Sequence, residues 1–193
     1  MLGVQREVLL TGIGGQGIQL AAKTLAMAAT AEGRQVLMSS HYGGEMRGGQ
    51  TEASVVVADV DLRAVPILES AWSAFVMHGR YFPGVAHRIR PGGLVVYNSS
   101  VAADIPEGDW MLAAVPAGDI ADELGASMAA GFVMLGAYAA ITGLVAADSL
   151  VGAMQELVPP YRAQHVANNE MAIRAGAASA NTVSDPAWAG SPA

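Results

Sequence analysis

Two short stretches of the chain are rich in glycine, and the first has the composition of an anion-binding loop. Gly12, Gly14 and Gly17 fit the pattern G-x-G-x-x-G, and Gly15 and Gln16 complete the stretch. An apolar run precedes it and an alanine-rich run follows it, which predicts a strand, a tight turn and a helix. Glycines let backbone N–H groups approach an anion at a helix N-terminus, where a phosphate is the usual ligand. A tight strand-to-helix turn that binds no ligand is the alternative interpretation.

The second glycine-rich stretch, residues 41–50, contains four glycines and two opposite charges. Arg47 lies next to glycine and can present its planar guanidinium to a phosphate or carboxylate, while Glu45 can hold that guanidinium in place. A solvent-exposed Glu45–Arg47 pair in a long turn is the alternative. The residues of this stretch that we assign to a cofactor-binding site are Tyr42, Gly43, Glu45, Arg47, Gly48 and Gly49.

Two histidines are weaker candidates for a ligand or a general base. His41 adjoins the second glycine stretch, and His78 follows an apolar run. A lone histidine after a strand is more often simply hydrogen-bonded to its surroundings. Neither residue is therefore assigned to the site.

The run after the first predicted helix argues against a nicotinamide cofactor. In a dinucleotide-binding fold the second strand ends in an acidic residue that binds the ribose hydroxyls. Here the run ends in Ser39 and Ser40. A free-standing NAD(P)-binding oxidoreductase is therefore the less favoured alternative.

Strands and helices alternate along most of the chain. The runs that predict strands cover residues 8–10, 35–39, 52–58, 72–77, 93–97 and 110–115. The runs that predict helices cover residues 17–30, 81–89, 117–124, 128–147, 148–158 and 161–175, the last ending near Gly176. This alternation predicts an α/β fold, a three-layer Rossmann-like domain with a mostly parallel or mixed sheet. We expect one domain over residues 1–176 and a disordered tail over residues 177–193, where large apolar residues become scarce.

The composition limits the partners that the protein can have. Only 14% of the residues are charged, against roughly 25% in an average soluble domain. We therefore expect partner subunits to cover part of the surface. The net charge of −7 argues against binding to nucleic acid. The 128–147 run is long enough for a membrane span, but it is rich in alanine and glycine and has no flanking basic residue, so we expect a buried helix.

The chain has no cysteine, which excludes disulfides, a thiol nucleophile and an iron–sulfur cluster with cysteine ligands from this chain. The first residues lack the basic and then apolar layout of a signal peptide. We expect a cytoplasmic protein.

Taken together, these motifs resemble the gamma subunit of the 2-oxoacid:ferredoxin oxidoreductases, which act on pyruvate, 2-oxoglutarate, 2-oxoisovalerate and indolepyruvate. The resemblance extends to about residue 176. The matching segments are residues 12–17, 40–49, 134–137 and 169–176. The second of these, SHYGGEMRGG, is more specific than the glycine loop alone.

The resemblance implies a division of labour among alpha, beta, gamma and, in some complexes, delta subunits. Thiamine diphosphate, magnesium and iron–sulfur clusters would lie in the partner subunits, with ferredoxin or another acceptor taking the electrons. This chain has Gly108, Asp109 and Trp110 in sequence, and so lacks the G-D-G that begins the thiamine diphosphate motif. What the resemblance leaves for this chain is to help bind coenzyme A or to complete a site between subunits. A structural subunit without a ligand is the alternative.

Overall fold

The computed structural model describes residues 3–42, 48–62, 68–101, 105–180 and 186–188. Its strands are β1 (Gln5–Ile13), β2 (Gln35–Tyr42), β3 (Gln50–Ala58), β4 (Ala71–Val76), β5 (Ile89–Asn98) and β6 (Trp110–Val115). Its α-helices are α1 (Ile18–Ala31), α2 (Phe82–Val85), α3 (Ala117–Glu123), α4 (Ala130–Thr142), α5 (Ala147–Leu157) and α6 (Val166–Ser179). Short 3₁₀ turns lie at Gly79–Tyr81, Ala86–Arg88, Ser99–Val101, Ser127–Ala129 and Pro160–His165.

The described strands form one sheet in the order β2-β3-β1-β4-β5-β6. β4 is parallel to β1, β5 is parallel to β4, and β6 is parallel to β5. β3 lies between β1 and β2 and is antiparallel to both. The predicted α/β class is confirmed, and the sheet is mixed.

The two faces of the sheet are covered unequally. Side chains alternate between faces along a strand, and Val8 and Leu10 of β1 point into the large core formed with α1, α4, α5 and α6. Leu9 points to the opposite face, where the main cover is the short helical stretch at 79–88, through residues such as Phe82 and Val85. The Glu52–Arg88 ion pair holds this stretch to β3. The second helical layer is therefore thin.

The apolar run predicted as one helix over residues 128–147 is divided in the structure. A 3₁₀ turn at Ser127–Ala129 precedes α4, and Gly143 ends it in a left-handed conformation with φ of 62°. The prediction of a single long helix was wrong because a residue that adopts positive φ interrupts the run. Nearly every residue of α4 is buried, and no helix in the described ranges is both long and apolar enough to cross a membrane.

α4 and α6 pack unusually closely through two glycines. A Cβ atom on Gly136 would lie 2.0 Å from the backbone oxygen of Ile173, and one on Gly176 would lie 1.9 Å from that of Val133. Gly176 was predicted to end the last helix, but α6 continues to Ser179. Gly176 therefore allows α6 to pack closely against α4 and does not end the helix.

The end of the chain differs from the expected disordered tail at the positions that the structure describes. Residues 177–179 form the last turn of α6. Farther along, the Ala187 N–H donates to the Thr142 oxygen at 2.7 Å. Trp188 donates its indole N–H to the Leu144 oxygen at 3.0 Å and stacks under the Arg34 guanidinium at 3.9 Å. The 186–188 segment is thus packed against the end of α4.

Candidate functional site

The first glycine loop lies between the carboxyl end of β1 and the N-terminus of α1. Gly15 and Gly17 have φ of 102° and 75°, which side-chain-bearing residues rarely adopt. Within the loop, the Ile13 N–H donates to Oε1 of Gln16 at 3.0 Å. A Cβ on Gly12 would lie 2.8 Å from that same Oε1 atom, so glycine at position 12 makes room for the Gln16 side chain.

Several N–H groups of this loop have no acceptor among the residues that the structure describes. Gly17 is the N-cap of α1 and, having no side chain, supplies no capping hydrogen bond to the first turn. In the described part of the chain, the N–H groups of Gly15, Gly17 and Ile18 have no hydrogen-bond partner. The first turn carries no acidic residue, and the helix dipole places partial positive charge there. This arrangement can bind an anion such as a phosphate.

The end of the second glycine stretch docks onto the first loop. The Gly14 N–H donates to the Gly49 oxygen at 2.8 Å. The Tyr81 hydroxyl donates to the Gly48 oxygen at 3.4 Å. The two stretches meet because β3 runs antiparallel to β1, which pairs Ile13 with the first residue of β3.

The other predicted residues of the second stretch are placed only in part. Tyr42 is the last residue of β2, and its backbone pairs with Thr51 of β3. Gly43, Glu45 and Arg47 lie outside the described residues. Their role at the site therefore stays a prediction.

The loops open onto a cleft of about 460 Å³ at the carboxyl ends of β1, β4 and β5. This volume lies within the range of roughly 300–1,000 Å³ that is typical of ligand pockets. Ligands of α/β proteins commonly bind outside the carboxyl ends of the strands, and the cleft lies there. Its lining includes Gly15, Gln16, Gly17, Met77, Asn98, Gly118, Asp122, Gly131, Phe132 and Arg162.

Two residues that position the cleft were missed from sequence. The Oδ1 atom of Asn98 accepts from the N–H groups of Ser100 and Ala117, each at 3.2 Å, and so joins the end of β5 to the start of α3. Tyr81 supports the Gly48 backbone, as described above. The available signal for Asn98 was a polar residue directly after the apolar 93–97 run. No local pattern indicated the role of Tyr81.

His78 has a local structural role. Its Nδ1 atom accepts from the Arg80 N–H at 3.2 Å and caps the short 3₁₀ turn after β4. This agrees with the interpretation of His78 as a hydrogen-bonded histidine. The side chain of His41 lies outside the description.

Comparisons with known proteins agree on one family. The model of the pyruvate ferredoxin/flavodoxin oxidoreductase family matches residues 7–179. The 2-oxoglutarate synthase subunit KorC of Methanothermobacter thermautotrophicus is 29% identical, over 91% of this chain and 95% of its own length. The pyruvate synthase subunit PorC of the same organism is 32% identical, over 79% of this chain and 85% of its own length.

Solved structures share the fold. The gamma subunit of a keto/oxoacid ferredoxin oxidoreductase from Geobacter sulfurreducens PCA superposes with a TM-score of 0.76 at 26% identity, covering 90% of this chain and 96% of that one. A 2-oxoglutarate:ferredoxin oxidoreductase from Magnetococcus marinus, described with 2-oxoglutarate, coenzyme A and succinyl-CoA bound, has a TM-score of 0.80 at 20% identity. That likeness covers 95% of this chain and 33% of the longer one, and it shows the fold alone. The chain therefore belongs to the pyruvate ferredoxin/flavodoxin oxidoreductase family, as a gamma-type subunit of a 2-oxoacid:ferredoxin oxidoreductase.

Proposed function

We propose that this subunit helps bind coenzyme A in a complex that oxidatively decarboxylates a 2-oxoacid to an acyl-CoA. The observation that carries the proposal is the group of N–H donors at Gly15, Gly17 and Ile18 that have no partner among the described residues, beside a cleft of ligand size that Gly15 and Gly17 line. Coenzyme A contains a pyrophosphate, the kind of anion that such a loop binds. The Magnetococcus marinus protein of the same fold, described with coenzyme A bound, supports the proposal by analogy.

The residues present fit a pyrophosphate in their chemistry. The loop offers backbone donors at the positive end of α1 and has no carboxylate in the first helical turn. Arg47 belongs to the stretch that also contains Gly49, whose oxygen accepts a hydrogen bond from the Gly14 N–H of the loop. We propose that its guanidinium adds a charge-assisted hydrogen bond to the phosphates. Coenzyme A would supply the acceptor thiol, and this chain would hold and orient its phosphate groups.

The other steps belong to partner subunits in this proposal. Without cysteine the chain cannot ligate an iron–sulfur cluster through thiolates. We therefore propose that thiamine diphosphate, magnesium and the clusters are bound by alpha, beta and, where present, delta subunits. Electrons would pass from those clusters to ferredoxin or another acceptor.

A ligand-free structural subunit of the same complex is the second candidate, and the exposed apolar side chains favour it. Met128 is 96% exposed, and Met111 and Leu112 on the edge strand β6 are 46% and 51% exposed. Edge strands of soluble proteins usually carry charges that prevent further pairing, whereas β6 has none. These surfaces suit contact with sister subunits whether or not this chain binds coenzyme A.

The substitution Arg47→Ala in the assembled complex separates the two candidates. A charge-assisted hydrogen bond contributes about 1.5–3 kcal/mol, so its loss should raise the Michaelis constant for coenzyme A by about ten- to a hundredfold. The Michaelis constant for the 2-oxoacid should change much less. Arg174→Ala is the control, because Arg174 lies on the exposed surface of α6 and pairs with Asp148 and Glu170.

Unchanged coenzyme A saturation in an intact Arg47→Ala complex would contradict the coenzyme A proposal. The loop would then serve assembly, and the structural candidate would take precedence. An exposed Glu45–Arg47 pair contributes under about 1 kcal/mol, too little to produce the predicted change.

A further inference from the structure

A second groove, of about 420 Å³, adjoins the cleft at the glycine loop. The two hollows share Leu20, Met128, Phe132 and Arg162 in their linings, so the groove lies directly beside the cleft at the loop. Most of the groove surface is apolar, and its lining combines Leu157, Val158 and Pro159 with Phe132 of α4. A flat apolar group can pack in such a place next to an anion held at the loop.

Two amide side chains provide polar groups along this groove. Asn168 and Asn169, at the start of α6, line it and are half-buried. In the described residues their side chains have no hydrogen-bond partner. Nearby, the Arg162 guanidinium forms no ion pair with a described residue and lies 5.5 Å from the centroid of the Tyr161 ring. Unpaired amide donors and acceptors beside apolar walls suit a heteroaromatic base with its own donors and acceptors.

The proposed function decides which part of coenzyme A would lie in this groove. If the pyrophosphate lies at the glycine loop, one end of the molecule extends toward the thiol and the other toward the adenine. The thiol must reach thiamine diphosphate, which the proposed function assigns to a partner subunit. The pantetheine arm must therefore leave this chain, and the nucleoside remains on it.

We propose that the groove binds the adenine nucleoside of coenzyme A, with the amides of Asn168 and Asn169 hydrogen-bonded to the edge of the base. This inference rests on the proposed function and deepens it. An asparagine amide can donate to N7 of adenine and accept from its 6-amino group. Arg162, at the junction of the two hollows, is placed to contact a phosphate of the same ligand.

The test measures binding of adenosine 3′,5′-bisphosphate and inosine 3′,5′-bisphosphate to the assembled complex by calorimetry. In inosine an oxygen replaces the 6-amino group, so the contact to asparagine is altered while the phosphates are kept. The wild-type complex should prefer the adenosine compound by about tenfold, equivalent to about 1.4 kcal/mol. The double substitution Asn168→Ala and Asn169→Ala should abolish that preference and weaken binding of the adenosine compound by about tenfold.

Folding of the double variant should be preserved, because alanine favours a helix more than asparagine does. Gln155→Ala, at an exposed position of α5 outside the groove, is the matched control and should keep the preference. 4′-Phosphopantetheine, which lacks the base, should bind the wild type and the double variant equally.

Equal affinity of the wild type for the two bisphosphates, or an unchanged preference in the double variant, would overturn the groove assignment. The proposed coenzyme A function would survive that result if Arg47→Ala still raised the Michaelis constant for coenzyme A. If Arg47→Ala had no effect either, both inferences would fail together.

Discussion

Replacing Gly176 by alanine should destabilise the protein, although alanine is the better helix former. In a helix interior, alanine in place of glycine is favourable by about 0.5–1 kcal/mol. At Gly176, however, the added Cβ would lie 1.9 Å from the Val133 oxygen and 2.7 Å from its carbon, where ordinary contact begins at 3.4 Å. The obstacle is backbone and cannot rotate away, so α4 and α6 must separate. Overpacking costs about 1–3 kcal/mol, and at its upper end the net loss would be about 2 kcal/mol.

The chain offers a matched control for this prediction. Gly152 lies within α5, and a Cβ built on it has no atom within 4 Å. Gly152→Ala should therefore raise the free energy of unfolding by about 0.5–1 kcal/mol, the propensity term alone. Urea unfolding followed by circular dichroism measures both variants, and Gly136→Ala should behave like Gly176→Ala. If Gly176→Ala were as stabilising as Gly152→Ala, the close packing of α4 on α6 would be wrong.

Three further outcomes are expected. The isolated chain should not oxidise any 2-oxoacid, because it lacks cysteine ligands for clusters; reduction of ferredoxin by the chain alone would refute this. The isolated chain should self-associate in light-scattering measurements because Met128 and Leu112 are exposed. Co-expression with partner subunits should prevent this self-association. A monodisperse monomer at high concentration would count against the expectation. Tyr138→Phe should cost about 1–2 kcal/mol, because the buried Ser73 hydroxyl loses its 2.6 Å hydrogen bond. Burial raises the pKa of Tyr138, so above about pH 10 only the unfolded tyrosine ionises and the wild type should lose stability as the pH rises. The Tyr138→Phe variant should lack the loss of stability that comes from this ionisation. Urea titrations at pH 9 and 11 would test this.

The sequence predicted elements better than it predicted their arrangement. The 110–115 run matches β6 residue for residue, and the first glycine loop lies where the pattern placed it. Hydrophobic periodicity depends on which side chains are buried, and this is visible locally. Strand direction is not visible locally, so nothing in the 50–58 run indicated that β3 would lie antiparallel between β1 and β2.

Gly17 and Gly176 show the same limit of prediction from local sequence patterns. At Gly17 a positive φ at the start of a helix follows from a recognisable motif. At Gly176 the reason for glycine is a carbonyl on another helix, 43 positions away at Val133, which no local pattern contains. The groove beside Asn168 likewise depends on how 3₁₀ turns and helices meet in space, so the sequence could not predict it.

The β2–β3 hairpin fixes both ends of its connection beside the cleft. Its two strands are adjacent and antiparallel, so the connection between them can change in length or composition while the register of the sheet is kept. Because β3 also pairs with β1, that connection begins and ends at the edge of the sheet where the cleft opens. Substitutions in this connection, which contains Glu45 and Arg47, should therefore change what the cleft binds while the paired strands keep their register.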